Sequence, residues 1–138
     1  MPSANRLARL VALTFSIQRA LRARFKRAAD HECSMPRLAV LHFVSERKAS
    51  SMKEIAGLLG VTPPSATVIV DALVEGGLLA REHDTKDRRG VRLRLTPKGA
   101  KLLRTATSRV SKQLAELFSR LSAEEHQQLI VIFEKLIV

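Results

Sequence analysis

Tryptophan and tyrosine are absent, and the aromatic share of 4% comes from five phenylalanines alone. Binding of single-stranded nucleic acid by base stacking needs aromatic platforms, so it is poorly supported. There is a single cysteine, Cys33. That excludes an internal disulfide and a Cys-rich zinc module, and it fits a reducing compartment, so a cytoplasmic location is expected. No apolar run approaches the roughly 18 residues that a membrane span needs, and no membrane partner is expected. A Ser/His/Asp order, paired buried carboxylates and a Gly-rich phosphate loop are also missing, so neither an enzyme nor a cofactor is expected. Acidic residues are scarce, thirteen against twenty-four Lys+Arg, and residues 1–29 hold none.

What is present is a chain of 138 residues, 46% apolar and 27% charged. That composition is ordinary for a folded domain and wrong for a disordered one, and the length leaves no room for a large multi-domain enzyme. The net charge is +11, and its distribution says more than its size. Residues 1–29 carry seven basic groups, residues 30–60 four of each sign, and residues 61–80 two acids. Residues 81–101 carry eight basic against three acidic groups, and residues 102–138 five against four. Two segments therefore hold the field, and a polyanion is the expected partner. The alternative is a basic surface that serves only solubility.

Periodicity and punctuation predict six helices and two strands. Residues 4–29 read as one helix, with Leu7, Leu10, Val11, Thr14, Ile17, Leu21, Phe25 and Ala28 on one face. The apolar stretch Leu10–Ile17 is not read as a signal-peptide core, because the stripe continues past the arginines that follow it. A second helix spans Met35 to about Arg47, capped by Ser34 with Pro36 in its first turn, and turns Leu38, Val40, Leu41 and Val44 inward. Ser51-x-x-Glu54 is a capping box for a short helix, 52–59, that stops at Gly60. Thr62 caps the next, 63–75, whose buried face is Ala66, Ile69, Val70, Leu73 and Val74. Strands are predicted at Leu78–His83 and Val91–Leu95, the second with its arginines facing solvent, around a polar loop 84–90. Thr96-Pro97 opens a helix of roughly 97–120 with the stripe Leu103, Ala106, Val110, Leu114, Leu117 and Leu121. Ser122-x-x-Glu125 boxes a last helix.

This order is a winged helix-turn-helix: the short helix, the turn Gly60-Val61-Thr62, the helix 63–75 and a hairpin whose tip is the wing. The fold class is mostly α (α+β), a winged helix-turn-helix domain, 35–96, flanked by long dimerisation helices, 1–34 and 97–138. The terminal apolar stripes exceed what one protomer can cover, so a homodimer is expected.

Asp87-Arg88-Arg89-Gly90 running into Val91–Leu95 and Thr96-Pro97-Lys98-Gly99, with Leu73-x-x-x-Gly77-Leu78-Leu79-x-Arg81 before it, resembles the signature of the MarR family of bacterial transcriptional regulators. The resemblance covers essentially the whole chain. It implies a homodimeric regulator, a repressor by expectation, whose terminal helices interleave. Recognition helices would enter successive major grooves of a pseudo-palindromic operator, roughly 34–36 Å apart, with the wings in minor grooves. Arg89 is then the residue that enters the minor groove, where negative potential concentrates, and Asp87 the one that holds the wing in shape. A small aromatic or phenolic effector between the dimerisation and DNA-binding parts is a further implication.

On this reading the double-stranded DNA contacts are Lys53, Thr62, Pro64, Ser65, Thr67, Val68, Arg81, Arg88, Arg89 and Arg92, with Asp87 shaping the wing. One departure from the family pattern stands out. Family members often have basic residues where this chain has Val68 and Ala72, and the segment 62–76 contains no Lys or Arg at all. Bidentate arginine readout of guanine is therefore absent, leaving hydroxyls and a valine that can meet thymine methyls. Either the site is T-rich and read partly by shape, or specificity is weak. The rival function is a winged-helix module for protein or RNA.

Three further features have both a chemical and a plain reading. Asp30-His31-Glu32-Cys33 groups possible metal ligands, but adjacent residues rarely close a tetrahedral site, and residues 97–120 offer no histidine, so no metal is expected. Cys33 is a thiol with acidic neighbours that raise its pKa, against Arg37 that lowers it, and a redox role is the lesser reading. His42 reads as a structural histidine among apolar neighbours, and the arginines of the first helix as a solvated face opposite the dimer seam, in preference to phosphate contacts.

Overall fold

A computed structural model describes residues 1–28, 33–47, 51–83 and 90–137. Its elements, in order, are α1 (Ala4–Ala28), α2 (Met35–Glu46), α3 (Met52–Leu59), α4 (Pro63–Glu75), β1 (Leu79–His83), β2 (Val91–Leu95), α5 (Pro97–Phe118) and α6 (Ala123–Ile137). Two compact units result: residues 29–108, and residues 1–28 with 109–138, the division falling inside α5. Among the described residues no single helix is long and apolar enough to cross a membrane.

In the first unit, α2 packs on α3, α4 and β2, and α4 on α3 and β1. The core is Leu38, Val40, Leu41, Val44, Ile55, Ala56, Ala66, Val70, Leu73, Leu79 and Leu93, with Cys33 at its margin. Each fully buried leucine or isoleucine contributes about 1.5–3 kcal/mol relative to exposure. β1 and β2 pair antiparallel, with Leu79 opposite Leu95 and His83 opposite Val91.

Several local expectations are corrected. Ser34 occupies the N-cap of α2 but its side chain makes no capping bond. The Ser51 box is half made: the Glu54 N–H donates to Ser51 Oγ at 3.2 Å, while the Glu54 carboxylate accepts from the Ser51 hydroxyl and lies 3.5 Å from the Arg47 guanidinium. That ion pair turns the carboxylate away from the Ser51 N–H. The Ser122 box is complete, with 2.8 Å and 3.1 Å bonds.

β1 begins at Leu79, not Leu78. The chain leaves α4 through a left-handed Gly77 (φ 72°), with Leu78 N–H on Leu73 O and Gly77 N–H on Val74 O, so Leu78 still closes the helix. On β2 the alternation is incomplete: Leu93 is buried, but Val91 is exposed and Arg92 is half-buried, because the strand's first residues lie at the open end of a two-stranded ribbon. His42 is exposed and sits 3.8 Å from Glu46, one step round α2 from the buried Leu41.

In the second unit, Arg24 on α1 binds Glu116 (2.8 Å) and the Gln113 carbonyl (3.2 Å) on α5. The expected α5 stripe, Leu103 to Leu121, begins in the first unit and is half-buried throughout. α6 buries none of its residues, and Leu7, Leu10, Val11 and Ile17 of α1 are also exposed.

Candidate nucleic-acid interface

The helix-turn-helix is set by its caps. Gly60, at φ 63°, ends α3, and its N–H reaches Gly57 O while Val61 N–H reaches Ala56 O. Two residues later Thr62 starts α4, its Oγ1 accepting the Ser65 N–H at 3.4 Å. Ala56 and Ala66 are small and buried, which lets the two helices cross closely.

The start of α4 has a chemical consequence. A helix N-terminus ordinarily presents free N–H groups to a phosphate. Here Pro63 and Pro64 have none, Ser65 N–H is taken by Thr62 Oγ1, and Ala66 N–H by Thr62 O. Phosphates at this end are left to side-chain donors. The outward face of α4 carries Ser65, Thr67 and Val68, and Val68 is 69% exposed. The Thr67 hydroxyl donates to Pro63 O at 3.0 Å and the Thr62 hydroxyl to Ser65 Oγ at 3.1 Å, so their acceptor lone pairs are what face outward most freely. Lys53 and Pro64 are exposed beside them.

The basic residues of the hairpin are arranged differently from the sequence-based expectation. Arg81, expected to contact DNA, pairs with Asp71 of α4 and so ties β1 to that helix. Arg94 pairs with Glu82 at 2.5 Å. Arg92 is half-buried, with its Nε shielded from solvent, so it is not the solvated side chain expected there. Asp87, Arg88 and Arg89 lie outside the described residues.

The hairpin's base holds a cluster of which the sequence showed only the Thr96 cap. Thr96 Oγ1 accepts the Gly99 N–H (3.0 Å), and its hydroxyl faces the carbonyls of Gly77 (2.6 Å) and Leu78 (3.1 Å). Thr96 N–H also donates to Leu78 O, and Lys98 Nζ to Gly76 O at 2.9 Å. A β-carbon on Gly99 would stand 2.1 Å from Leu78 O, so only glycine allows this approach. The motif Thr96-Pro97-Lys98-Gly99 thus clamps the exit of α4 to the entry of α5. The glycine pair and the Thr-x-x-Gly spacing were visible as a signature, but not as partners.

A family model for MarR matches residues 33–91. YkoM of Bacillus subtilis strain 168, an uncharacterized HTH-type transcriptional regulator, is 33% identical over 106 residues, 77% of this chain and 69% of the relative. The chain belongs to the MarR family. It is similar in structure to the transcriptional regulator BldR from Sulfolobus solfataricus, with a TM-score of 0.76, 27% identity, and coverage of 98% of this chain and 99% of that one. It is also similar to a MepR-like protein complexed with pseudoligands, with a TM-score of 0.64, 30% identity, and coverage of 94% and 92%. This MarR-family chain is accordingly a DNA-binding transcriptional regulator with a winged-helix fold, in a family of regulators, not enzymes. Among its described residues no group of three or more His, Cys, Asp or Glu could hold a metal ion, and Asp30, His31 and Glu32 lie outside them. Cys33 is buried, with its thiol 3.7 Å from Ser34 O.

Proposed function

We propose that the chain is a repressor that works as a homodimer on a pseudo-palindromic operator. Residues 35–96 read the DNA, and residues 1–34 and 97–138 make the dimer. The observation that carries the reading is the outward face of α4, which holds hydroxyls and a bare valine but no cation. Ser65, Thr67 and Val68, with Thr62, Pro64 and Lys53 beside them, meet the major groove. Val68 contacts thymine methyls, and Arg89 at the wing enters a narrow minor groove, so the preferred site is A·T-rich. Arg88 holds a phosphate, and half-buried Arg92 reaches one only with the outer end of its guanidinium. The dimer is supported by the exposed apolar residues of α1 and α6, among them Phe133 (51%) and Ile137 (82%). A small aromatic or phenolic effector releases the DNA; the MepR-like structure with its pseudoligands supports a ligand-responsive mode.

The test is a gel-shift titration on the operator selected from random duplexes. Arg89→Ala should weaken binding at least tenfold with unchanged circular dichroism and dimer mass. Arg88→Ala should flatten the salt slope by about 0.9. Unchanged affinity for Arg89→Ala, or a consensus dominated by G·C under α4, would overturn the reading.

A further inference from the structure

The excess charge is concentrated away from the DNA-reading unit. Residues 1–28 and 109–138 hold eleven Lys+Arg against four Asp+Glu, whereas residues 29–108 hold thirteen against nine. Seven of the eleven are on α1, which carries no acid. Only Arg24 among them is withdrawn, 19% exposed and bound to Glu116. Arg6, Arg9, Arg19, Arg22, Lys26 and Arg27 are exposed and make no ion pair among the described residues.

Their order on the helix is specific. Arg19, Arg22 and Lys26 follow one another at three- and four-residue steps, so they form one row, with exposed Phe15 (67%) one turn before it. Arg9 and Arg27 lie roughly a third of a turn round from that row, and the apolar stripe through Leu7, Leu10 and Ile17 occupies the remaining side of the helix. Like charges at these steps repel one another, and no carboxylate among the described residues pairs with them. A polyanion would. From Arg9 to Arg27 the helix advances about 27 Å at 1.5 Å per residue, the length of roughly eight base-pair steps.

We propose that this basic face of α1 holds the phosphate backbone of a second segment of double-stranded DNA, so that one regulator bridges two stretches of duplex. The proposal rests on the homodimer reading above, which assigns the apolar side of α1 to protein and leaves the cationic side for an anion. DNA fits better than an anionic bilayer, because the row has one exposed aromatic, Phe15, beside it, and the continuous apolar stripe that would enter a bilayer is the one assigned to the seam. A separate segment fits better than the flank of the operator. The row belongs to the compact unit that does not carry α4, and it has a footprint of its own.

The experiment uses the full chain and the triple variant Arg19→Glu/Arg22→Glu/Lys26→Glu, with Arg19→Ala/Arg22→Ala/Lys26→Ala as a milder second variant. Operator duplex of about one dimer footprint is fixed to beads, protein is added, and capture of a labelled duplex lacking the operator is measured. Wild type should retrieve the second duplex, and both variants should lose at least tenfold of that capture. Their affinity for the short operator should stay within twofold, with dimer mass and circular dichroism unchanged. Capture that survives in either folded variant overturns the proposal. So does a loss of short-operator affinity with a salt slope flatter by about 2.7, which would place the row on the same duplex. Wild-type binding to phosphatidylglycerol vesicles in preference to the second duplex would overturn it as well. Failure of wild type itself on the short operator would instead count against the DNA reading above.

Discussion

Twelve of the thirteen buried hydrophobic residues among those described lie between residues 29 and 108, and Ala28 alone lies in the other unit. Of the seventeen exposed large hydrophobics among the described residues, thirteen belong to α1, α6 and Met1, and only Leu58, Val61, Val68 and Val91 to residues 29–108. Both parts carry apolar residues at helical spacing, yet one closes its core within a single chain and the other does not. The contrast teaches that a stripe in the sequence says that a face is to be covered, not by what. Around α2 the covering elements follow within fifty residues. Around α6 they do not, and the homodimer proposed above supplies them.

The contrast is most sharply broken by removing residues 122–138. The seam proposed for the dimer would lose α6, and aggregation or unfolding is expected by size-exclusion chromatography and circular dichroism. A soluble, folded monomer would show that the terminal helices are not the seam. Next in size is Gly99→Ala, which places a β-carbon against Leu78 O. A loss of about 3 kcal/mol is expected in urea denaturation, and no loss would mean the clamp gives way cheaply. Thr96→Val should cost about 1–2 kcal/mol, since it removes a cap and a donor to Gly77 O together. Val68→Ala should change stability by less than about 0.5 kcal/mol while weakening operator binding. A larger stability loss would place Val68 in the core, contrary to its 69% exposure.

Helix starts and stops were legible in the sequence because their signals are local. Thr62 with Pro63, Ser122 with Glu125, and Gly60 each act within four residues, and each does so in the structure. The buried face of α2 was legible for the same reason, since a helical period lies within one segment; on α4 Ala66, Val70 and Leu73 are buried as expected, while Ile69 and Val74 are half-buried. Contacts between distant segments were not. Thr96 lies 19 residues from Gly77, and no periodicity links them. Competition between partners was also hidden: Glu54 chooses Arg47 over the Ser51 N–H, and Arg81 has Asp71 within reach. The wing residues Asp87, Arg88 and Arg89 lie outside the described residues, and their part in binding is proposed from the resemblance.

The bareness of the α4 surface bears on how such a protein changes its address. Ser65, Thr67 and Val68 face outward, while the helix is held from behind by Ala66, Val70 and Leu73 and at its exit by the Thr96–Gly99 clamp. Folding and recognition are thereby assigned to different residues of the same thirteen-residue helix. A duplicated copy could drift to a new operator through exposed substitutions that each alter stability by less than about 0.5 kcal/mol. It would cross no unfolded intermediate, which makes this surface a route by which one scaffold can diversify into many regulators.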